Sequence, residues 1–285
     1  MARIREQIVL IQNVAAGQRC IVSPQVGRTW LDAHIKLTNV TFAQATNIRV
    51  LLVAPTRTVT LQEFKDGVEL EEFNKRYNRH TKAGQMSFYF RKPEMENEAQ
   101  SMATALGTGG LQAVRIEFDI AAASVSPVVS AWGRKVANRS VAAGILPLIV
   151  NHNIGGQAEG NNYFDAIGKR DRIAAIHVLN ENVDSLTLKV DDAIAYDLAR
   201  ADGEFDEEAG GRVPYADDYG MVIDFTTAGV LDEALVMQSK EQDYQAQQMR
   251  LTATLGATYS ATTRLLVEYL STWESVAGSN TQRAA

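Results

Sequence analysis

Apolar and polar residues alternate along most of this chain. The clearest case is AVRIEFDI, residues 113–120, in which every second side chain is apolar and Arg, Glu and Asp lie between them. A period of two is typical of a half-buried β-strand, because successive side chains point to opposite faces of a sheet. Similar runs recur in both halves and end at turn-forming residues such as Asn39, Gly84 and Asn182. The pattern predicts an all-β protein.

A helical period is visible in one place. Apolar residues at three-and-four spacing occur at Leu61, Phe64, Val68, Leu70, Phe73 and Tyr77. This is the period of an amphipathic helix. We therefore expect short helical insertions in an otherwise β-rich chain, the first of them in this segment.

The glycine-rich run Gly107-Thr108-Gly109-Gly110 is predicted to be a turn that enters a strand. A phosphate-binding loop follows a strand and opens a helix, whose N-terminal N–H groups hold the phosphate. Here the glycines precede an alternating run, and no Lys-Ser or Lys-Thr pair follows them. The sequence therefore argues against a nucleotide site.

The two halves of the chain repeat one another. Three pairs of segments match in the same order: residues 35 and 48–52 with 176 and 186–190, GQMSFYF (84–90) with YGMVIDF (219–225), and ATALG (103–107) with TATLG (252–256). The first pair places Ile35 on Ile176, the second aligns Met86 with Met221, and the third, continued in register, places Arg115 on Arg264. A repeated β-rich half indicates a duplicated domain.

We predict two tandem jelly-roll β-sandwiches, a double jelly roll. The N-terminal jelly roll is assigned to residues 1–125 and the C-terminal jelly roll, with a tail, to residues 151–285. A linker is predicted at residues 126–150, since the joint is rich in Ala, Ser and Val and contains Pro127.

Composition narrows the choice of partners and compartment. A net charge of −6 and the lack of a basic terminal arm argue against direct nucleic-acid binding. Cys20 stands alone, so an intrachain disulfide is impossible and a reducing cytoplasm is expected. The longest apolar run, residues 141–150, contains Gly144 and Pro147 and is too short to span a bilayer. These features predict a soluble protein without an export signal.

Catalytic motifs are not visible, and we predict no catalytic and no cofactor-binding residues. The four histidines do not form His-x-His or His-Glu-x-x-His, and Gly-x-Ser-x-Gly is absent. His34 and His177 lie within alternating strands, so both are expected to be structural. Two rival functions stay open: a glycan hydrolase or amidase built on jelly rolls, and a carbohydrate-binding viral spike.

Acidic residues supply the candidates for a metal site. They are Asp202, Glu204 and Asp206 in the run DGEFDEE, with Asp217 and Asp218 shortly after it. Calcium is the metal that clustered carboxylate oxygens favour. The run lacks the ladder of an EF-hand loop, so we expect a solvated acidic loop and no required cofactor.

Several stretches together resemble the major capsid proteins of corticoviruses, tailless icosahedral bacteriophages with an internal lipid membrane. The landmarks are NVAAG and the following Cys (13–20), KAG, SF and PEM (82–95), ALGT and GL (105–111), RIAAIH (172–177), and VEY with a later Trp (267–273). No single landmark is diagnostic, but they occur in order across both halves. The acidic run at 202–208 and the tail at 278–285 look like departures from the family pattern.

The resemblance implies a virion protein that works by self-association. It implies a homotrimer forming a pseudo-hexameric capsomer, which packs with neighbouring capsomers into an icosahedral shell around the internal membrane. Further partners would be viral penton or spike proteins and membrane-associated minor proteins, with at most peripheral membrane contact, and assembly would occur in the cytoplasm of a bacterial host. Relatives are associated with calcium, but no ligand set maps onto this sequence. Tyr77, Tyr89 and Tyr219 are candidates for exposed interface residues.

Overall fold

The structure is a computed structural model that describes residues 3–239 and 243–278. The chain divides into two compact units, Met1–Leu148 with Thr272–Ala285 and Ile149–Ser271. The tail after Gly278, where a departure from the family pattern is predicted, lies outside the described residues. Within the described ranges, no helix is both long and apolar enough to cross a membrane.

The first unit is built from short strands. They are β1 Ile4–Ile8, β2 Ile11–Gln12, β3 Arg19–Val22, β4 Thr29–Thr38, β5 Ala45–Val53, β6 Thr58–Asp66, β7 Gln85–Tyr89, β8 Leu106–Gly107, β9 Ala113–Ile120 and β10 Val128–Val136. Two helices, α1 Gly67–Arg76 and α2 Glu98–Ala103, and two 3-10 turns, Phe42–Gln44 and Val141–Ala143, connect them. One antiparallel sheet has the order β1-β10-β4-β7, with β8 beside β4, and the other has the order β2-β3-β9-β5-β6.

The second unit follows the same plan. Its strands are β11 Ile145–Gly155, β12 Gly160–Phe164, β13 Arg172–Leu179, β14 Val183–Val190, β15 Ala193–Ala199, β16 Met221–Asp224, β17 Leu235–Val236, β18 Gln238–Ser239, β19 Tyr244–Gln245, β20 Met249–Leu255 and β21 Thr262–Thr272. Helix α3 Arg200–Ala209 and a 3-10 turn at Leu231–Glu233 lie between strands. Helix α4 Trp273–Gly278 ends the described chain and belongs to the first unit. The sheets have the orders β11-β21-β13-β16 and β12-β20-β14-β15, and β17 pairs with β13.

Both units have the same strand order. We number the eight main strands of each unit along the chain, leaving out β2 and β8 in the first and β17, β18 and β19 in the second. Both units then show one sheet with the order 1-8-3-6 and another with the order 2-7-4-5. Two four-stranded antiparallel sheets packed as a sandwich are the jelly-roll arrangement. The predicted duplication is therefore visible in the hydrogen-bonded topology.

The last predicted repeat was assigned to the wrong strands. Arg115 lies on β9, the seventh main strand of its unit, whereas Arg264 lies on β21, the eighth. The equivalent of β9 is β20, since each is the seventh main strand and pairs with the second and fourth. Alternating apolar strands resemble one another in sequence, and only their pairing partners distinguish them.

The predicted linker at 126–150 is largely strand. β10 occupies Val128–Val136 and lies between β1 and β4 in the middle of a sheet. Its small residues hid the alternation: Gly133 lies where a Cβ would be 2.5 Å from the backbone oxygen of Asp32 and 2.8 Å from the ring of Trp30. The first jelly roll therefore extends well past residue 125.

Helices α1 and α3 are equivalent insertions, because each follows the fifth main strand of its unit and precedes the sixth. The helical period predicted from Leu61 was right only from Gly67 onwards, since Leu61 and Phe64 lie on β6. The acidic run 202–208 is part of α3 and is not the loop that we expected.

The strand cores and turns agree with the alternation in the sequence. Val114, Ile116 and Phe118 on β9 are all 0% exposed, with Arg115 on the opposite face. The turn residues Asn39, Gly84 and Asn182 adopt positive φ angles of 62°, 72° and 48°, as tight reversals require. The glycine run begins at the end of β8 and leads into strand β9 and not into a helix, so the predicted strand-entry turn is confirmed.

Candidate functional site

A buried polar cluster surrounds His34 on the outer face of the first unit's β1-β10-β4-β7 sheet. Asp32 and His34 alternate on β4 with the core residues Ala33 and Ile35. The Nε2 atom of His34 is 3.2 Å from Oδ1 of Asp32, and its Nδ1 atom is 2.9 Å from Oγ of Ser87. A neutral ring satisfies both contacts when Nε2–H donates to the carboxylate and Nδ1 accepts from the hydroxyl.

Asp32 is the acceptor that organises this cluster. Its carboxylate is 0% exposed and accepts a 2.7 Å hydrogen bond from Nε of Arg134 on β10. Burial favours the neutral acid, but the hydrogen bonds from His34 and Arg134 outweigh it and hold the pKa of Asp32 below its usual value. The same hydrogen bond raises the pKa of Arg134. The cluster therefore joins β4 to β10 through charge-assisted bonds and β4 to β7 through the His34–Ser87 hydrogen bond.

Ser87, His34 and Asp32 have the residue types of a hydrolytic triad. Ser87 is only 4% exposed, and the Asp32 carboxylate is also held by Arg134. A nucleophile must reach about 3 Å from a substrate carbon, which a hydroxyl enclosed beneath the sheet's own side chains does not do. The geometry supports a structural role.

A second cluster surrounds His177 in the second unit. Its Nε2 atom is 2.9 Å from Oε1 of Glu268 on β21, and its Nδ1 atom is 3.0 Å from the hydroxyl of Tyr215. His177 is 0% exposed, and Tyr215 comes from the segment between α3 and β16. Both histidines are therefore buried and hydrogen-bonded, as expected of residues with a structural role.

The two histidines occupy equivalent positions. His34 lies opposite Ser87 and Trp132, and His177 lies opposite Val222 and Leu266. In each unit these partners are on the sixth and eighth main strands, which flank the third. Since Met86 pairs with Ile35 and Met221 with Val178, the equivalent of Ile35 is Val178. The predicted match of Ile35 with Ile176 was therefore two residues out of register.

The acid that bonds the buried histidine lies on different strands in the two units. Asp32 lies on the third main strand opposite Arg134, and the equivalent pair in the second unit is Ala175 opposite Glu268. The acid that bonds the histidine thus comes from the third strand in one unit and from the eighth in the other. Sequence comparison does not reveal this exchange, because each acid aligns with a residue of different charge.

The predicted metal candidates lie on and after α3. Asp202 and Asp206 are exposed, Glu204 accepts a 3.1 Å hydrogen bond from Arg200, and Asp217 is 3.5 Å from the same guanidinium. Asp218 is exposed in the following turn. Among residues 3–239 and 243–278, no group of three or more His, Cys, Asp or Glu side chains has an arrangement that could hold a metal ion. Calcium binding stays a prediction.

The tyrosines proposed as exposed interface residues are mostly internal. Tyr77 is 2% and Tyr89 is 8% exposed, and Tyr219 is half-buried. The ring of Tyr77 packs edge-on against Phe73 at 5.2 Å, and the Tyr89 hydroxyl donates to the backbone oxygen of His80. The prediction was wrong for Tyr77 and Tyr89, because tyrosine often fills a core when its hydroxyl finds a partner.

The exposed apolar side chains lie elsewhere and were not predicted. The most exposed are Val9 (83%), Val125 (76%), Phe205 (74%), Tyr163 (61%), Ile194 (60%) and Val128 (55%). Phe205 is the signal that sequence reasoning missed, since it is the one aromatic residue in an acidic run. On α3 its helical neighbours Ala201, Asp202, Glu208 and Ala209 are all exposed. An exposed aromatic side chain with a charged rim is typical of an interaction surface.

The two edge strands of the first unit's β1-β10-β4-β7 sheet, β7 and β1, differ in how far other groups cover them. Along β7, the side-chain amides of Asn74 and Gln62 donate to the backbone oxygens of Ser87 and Tyr89, at 2.8 and 3.1 Å. These bonds occupy edge carbonyls that could otherwise pair with another strand. Edge strand β1 pairs with β10 on one side, and its residues Ile4, Arg5 and Gln7 are exposed.

Two protein-family models match the chain. One is described as the viral coat protein P2 N-terminal domain and covers residues 5–137, and the other as the viral coat protein P2 C-terminal domain and covers residues 146–273. The chain is 30% identical over 272 residues to the major capsid protein P2 of Pseudoalteromonas phage PM2, which covers 92% of this chain and 95% of the relative.

Solved structures of viral capsid proteins also match this chain. The crystal structure of the major capsid protein P2 from bacteriophage PM2 matches with a TM-score of 0.85 and 28% identity, over 95% of this chain and 98% of that one. The MCP of STIV, Sulfolobus Turreted Icosahedral Virus, matches with a TM-score of 0.67 over 100% of both chains at 11% identity, which shows a shared fold alone. These neighbours confirm the predicted double jelly roll.

Proposed function

This chain belongs to the viral coat protein P2 family and is a major capsid protein of a PM2-like phage, and from that premise we propose that it assembles as homotrimeric, pseudo-hexameric capsomers. The capsomers tile an icosahedral shell, so the chain's partners are other copies of itself. The observation that carries this proposal is the identical strand order of the two units.

The geometry follows from the duplication. Three chains with two similar units each present six similar units around one axis, although the true symmetry is threefold. Such a particle fits positions of sixfold shape in a shell. A single jelly roll would need six separate chains for the same purpose.

The proposal extends to the surroundings of the shell. The shell encloses an internal membrane, penton or spike proteins and membrane-associated minor proteins contact the capsomers, and assembly takes place in the cytoplasm of a bacterial host. A net charge of −6 supports a role without direct phosphate contacts. Membrane contact is peripheral.

We also propose that the chain works without catalysis and without a required cofactor. The enclosed Ser87 and the structural bonds of His34 and Asp32 support this. Calcium is the one candidate ligand, held by carboxylates such as Asp217 and Asp218, and its role would be to stabilise association.

Light scattering of the purified protein tests the trimer. The expected species has a mass of three times the 31.2 kDa of one chain, and it persists on dilution to micromolar concentration. A monomer at that concentration contradicts the proposed capsomer. A chelator arm is run in parallel. An unchanged mass supports assembly without metal, and dissociation that added calcium reverses overturns that part of the proposal.

A further inference from the structure

The two units carry charge of opposite sign. Met1–Leu148 with Thr272–Ala285 contains 19 Lys and Arg and 13 Asp and Glu residues, which gives 19 − 13 = +6. Ile149–Ser271 contains 9 and 21, which gives 9 − 21 = −12. The sum reproduces the −6 of the whole chain. Two sandwiches with the same topology thus differ by 18 charges.

The equivalent helices α1 and α3 show this difference in detail. In α1, Lys75 lies 2.7 Å from Glu72 and 3.6 Å from Glu71, so one cation of the same helix faces these two half-buried acids. In α3, Asp202, Asp206 and Glu208 are exposed and make no ion pair with any residue of the described chain. The acidic surface of α3 is therefore free to act on another molecule.

The acids of α3 are not explained by the stability of the helix. Asp206 and Glu208 lie near its C-terminus, where the helix dipole disfavours negative charge, and its last turn has no basic residue. The last turn of α1 contains Lys75 and Arg76, as the dipole favours. Phe205, 74% exposed, lies among the α3 acids. An apolar anchor ringed by unfavourably placed acids suggests a binding function for this helix.

The first unit offers the complementary charge. Arg28, Lys36, Lys82 and Arg115 are exposed, and none of them makes an ion pair within residues 3–239 and 243–278. Contacts between two acidic second units, or between two basic first units, bring like charges together. Contacts between a first and a second unit bring opposite charges together. Electrostatic complementarity of this kind selects the partner and the orientation more than it adds affinity.

We propose that the acidic second unit of one copy docks, through the α3 face around Phe205, onto the basic first unit of a neighbouring copy. This inference rests on the proposed self-association and specifies its polarity. Each contact is head-to-tail, so a closed ring of three copies alternates first and second units. Like-with-like contacts are disfavoured by charge.

The sign of the salt dependence tests this polarity. Copies of a protein with a net charge of −6 spread evenly repel one another, so added salt would strengthen their association. Copies that meet through units of opposite charge attract one another, so added salt weakens association. The experiment is sedimentation of the full-length protein across a concentration series in 50, 150 and 300 mM NaCl. The expected result is an association constant that falls at each step.

Matched variants test whether the salt-dependent association arises from the acids of α3. D206N/E208Q on α3 is expected to weaken association at 50 mM NaCl about fivefold, as the loss of two exposed ion pairs would, and to flatten the salt dependence. E71Q/E72Q on α1 removes the same number of acids from the equivalent helix of the basic unit, so it is expected not to weaken association and to keep the salt dependence. F205A weakens association but keeps the salt dependence of the wild type.

The outcomes separate the two proposals. Association that salt leaves unchanged or strengthens overturns the charge polarity and leaves the capsomer in place. An equal effect of the α1 and α3 variants also overturns it. A protein that stays monomeric at every salt concentration contradicts the proposed function itself. The α3 substitutions remove acids that oppose the helix dipole, so circular dichroism is expected to show unchanged folding.

Discussion

At the scale of single residues, Asp32 is a buried, ion-paired acid of the first unit. Its fully buried carboxylate holds both His34 and Arg134. Asp32→Asn removes the charge but keeps the shape, so the buried His34 and the partly exposed Arg134 lose an ionic acceptor. We expect a loss of about 2 kcal/mol in the free energy of unfolding, less than the usual cost of breaking a fully buried pair because the Arg134 side chain is 33% exposed.

Urea unfolding of the two proteins measures this loss. The matched control is Asp119→Asn, which breaks the exposed pair with Arg19, whose side chains are 52% and 30% exposed. The control is expected to cost under about 1 kcal/mol. Equal costs for the two variants would contradict the assigned role of Asp32.

The Asp32 contribution has a defined pH window. Its pKa is lowered in the native state, so the unfolded chain takes up the proton first as the pH falls. The contribution is complete above about pH 4, the ordinary range of Asp, and is lost as the pH falls through the lowered native pKa. The stability difference between wild type and Asp32→Asn is therefore expected to be constant from pH 8 to pH 5 and to shrink below pH 4. A difference that grows on acidification would refute the ionised, bonded carboxylate.

Cys20 gives a probe of the core of the first unit. It is 0% exposed, and burial raises the pKa of its thiol to about 12. The thiolate is the reactive form, so the native protein is expected to resist a thiol reagent at pH 8 and to react stoichiometrically in urea. Rapid reaction of the native protein would show that β3 opens locally.

Residue-level roles were only partly readable from the sequence. The structural nature of His34 and His177 follows from their place in alternating strands. The exchange of the acid between Asp32 and Glu268 does not, because it depends on which strands are neighbours. Phe205 was missed because the acidic run was interpreted as a loop, in which an apolar residue has no defined face.

At the scale of elements, the ends of the two insertion helices differ. Asp66 caps α1 by accepting hydrogen bonds from the backbone N–H groups of Val68 and Glu69, at 3.0 and 2.9 Å. Helix α3 begins after Ala199, which has no side-chain acceptor. The stability of α1 is therefore local, whereas α3 depends more on packing against its sheet.

Removal of the cap tests this difference. Asp66→Ala is expected to lower the free energy of unfolding by about 1 kcal/mol, measured by chemical denaturation. Asp202→Ala, in the first turn of uncapped α3, serves as the control and is expected to change it by a few tenths. A cap variant with wild-type stability would contradict the local account of α1.

Strands were easier to predict than their partners. The alternation of β9 and the positive-φ turns at Asn39 and Asn182 follow from side-chain period and turn chemistry. β10 was mistaken for a linker because Ala131 and Gly133 weaken its pattern, and Gly133 is required there by the close approach of Asp32 and Trp30. The pairing of β9 with β5 rather than β10 is a long-range property that periodicity does not contain.

At the scale of the whole molecule, duplication and divergence have separate roles. The shared strand order would give six similar units to the proposed trimer, and the opposite charges of the two units distinguish them. The duplication was visible in the sequence through Met86 and Met221, which occupy equivalent sixth strands. The charge difference became meaningful only when the boundary between the units was known.

Electron microscopy of the purified, associated protein tests the central claim most directly. The account predicts class averages of a six-lobed particle with threefold symmetry, in which two kinds of lobe alternate. Two-lobed single chains, or rings with any other number of chains, would contradict a capsomer built from three duplicated jelly rolls.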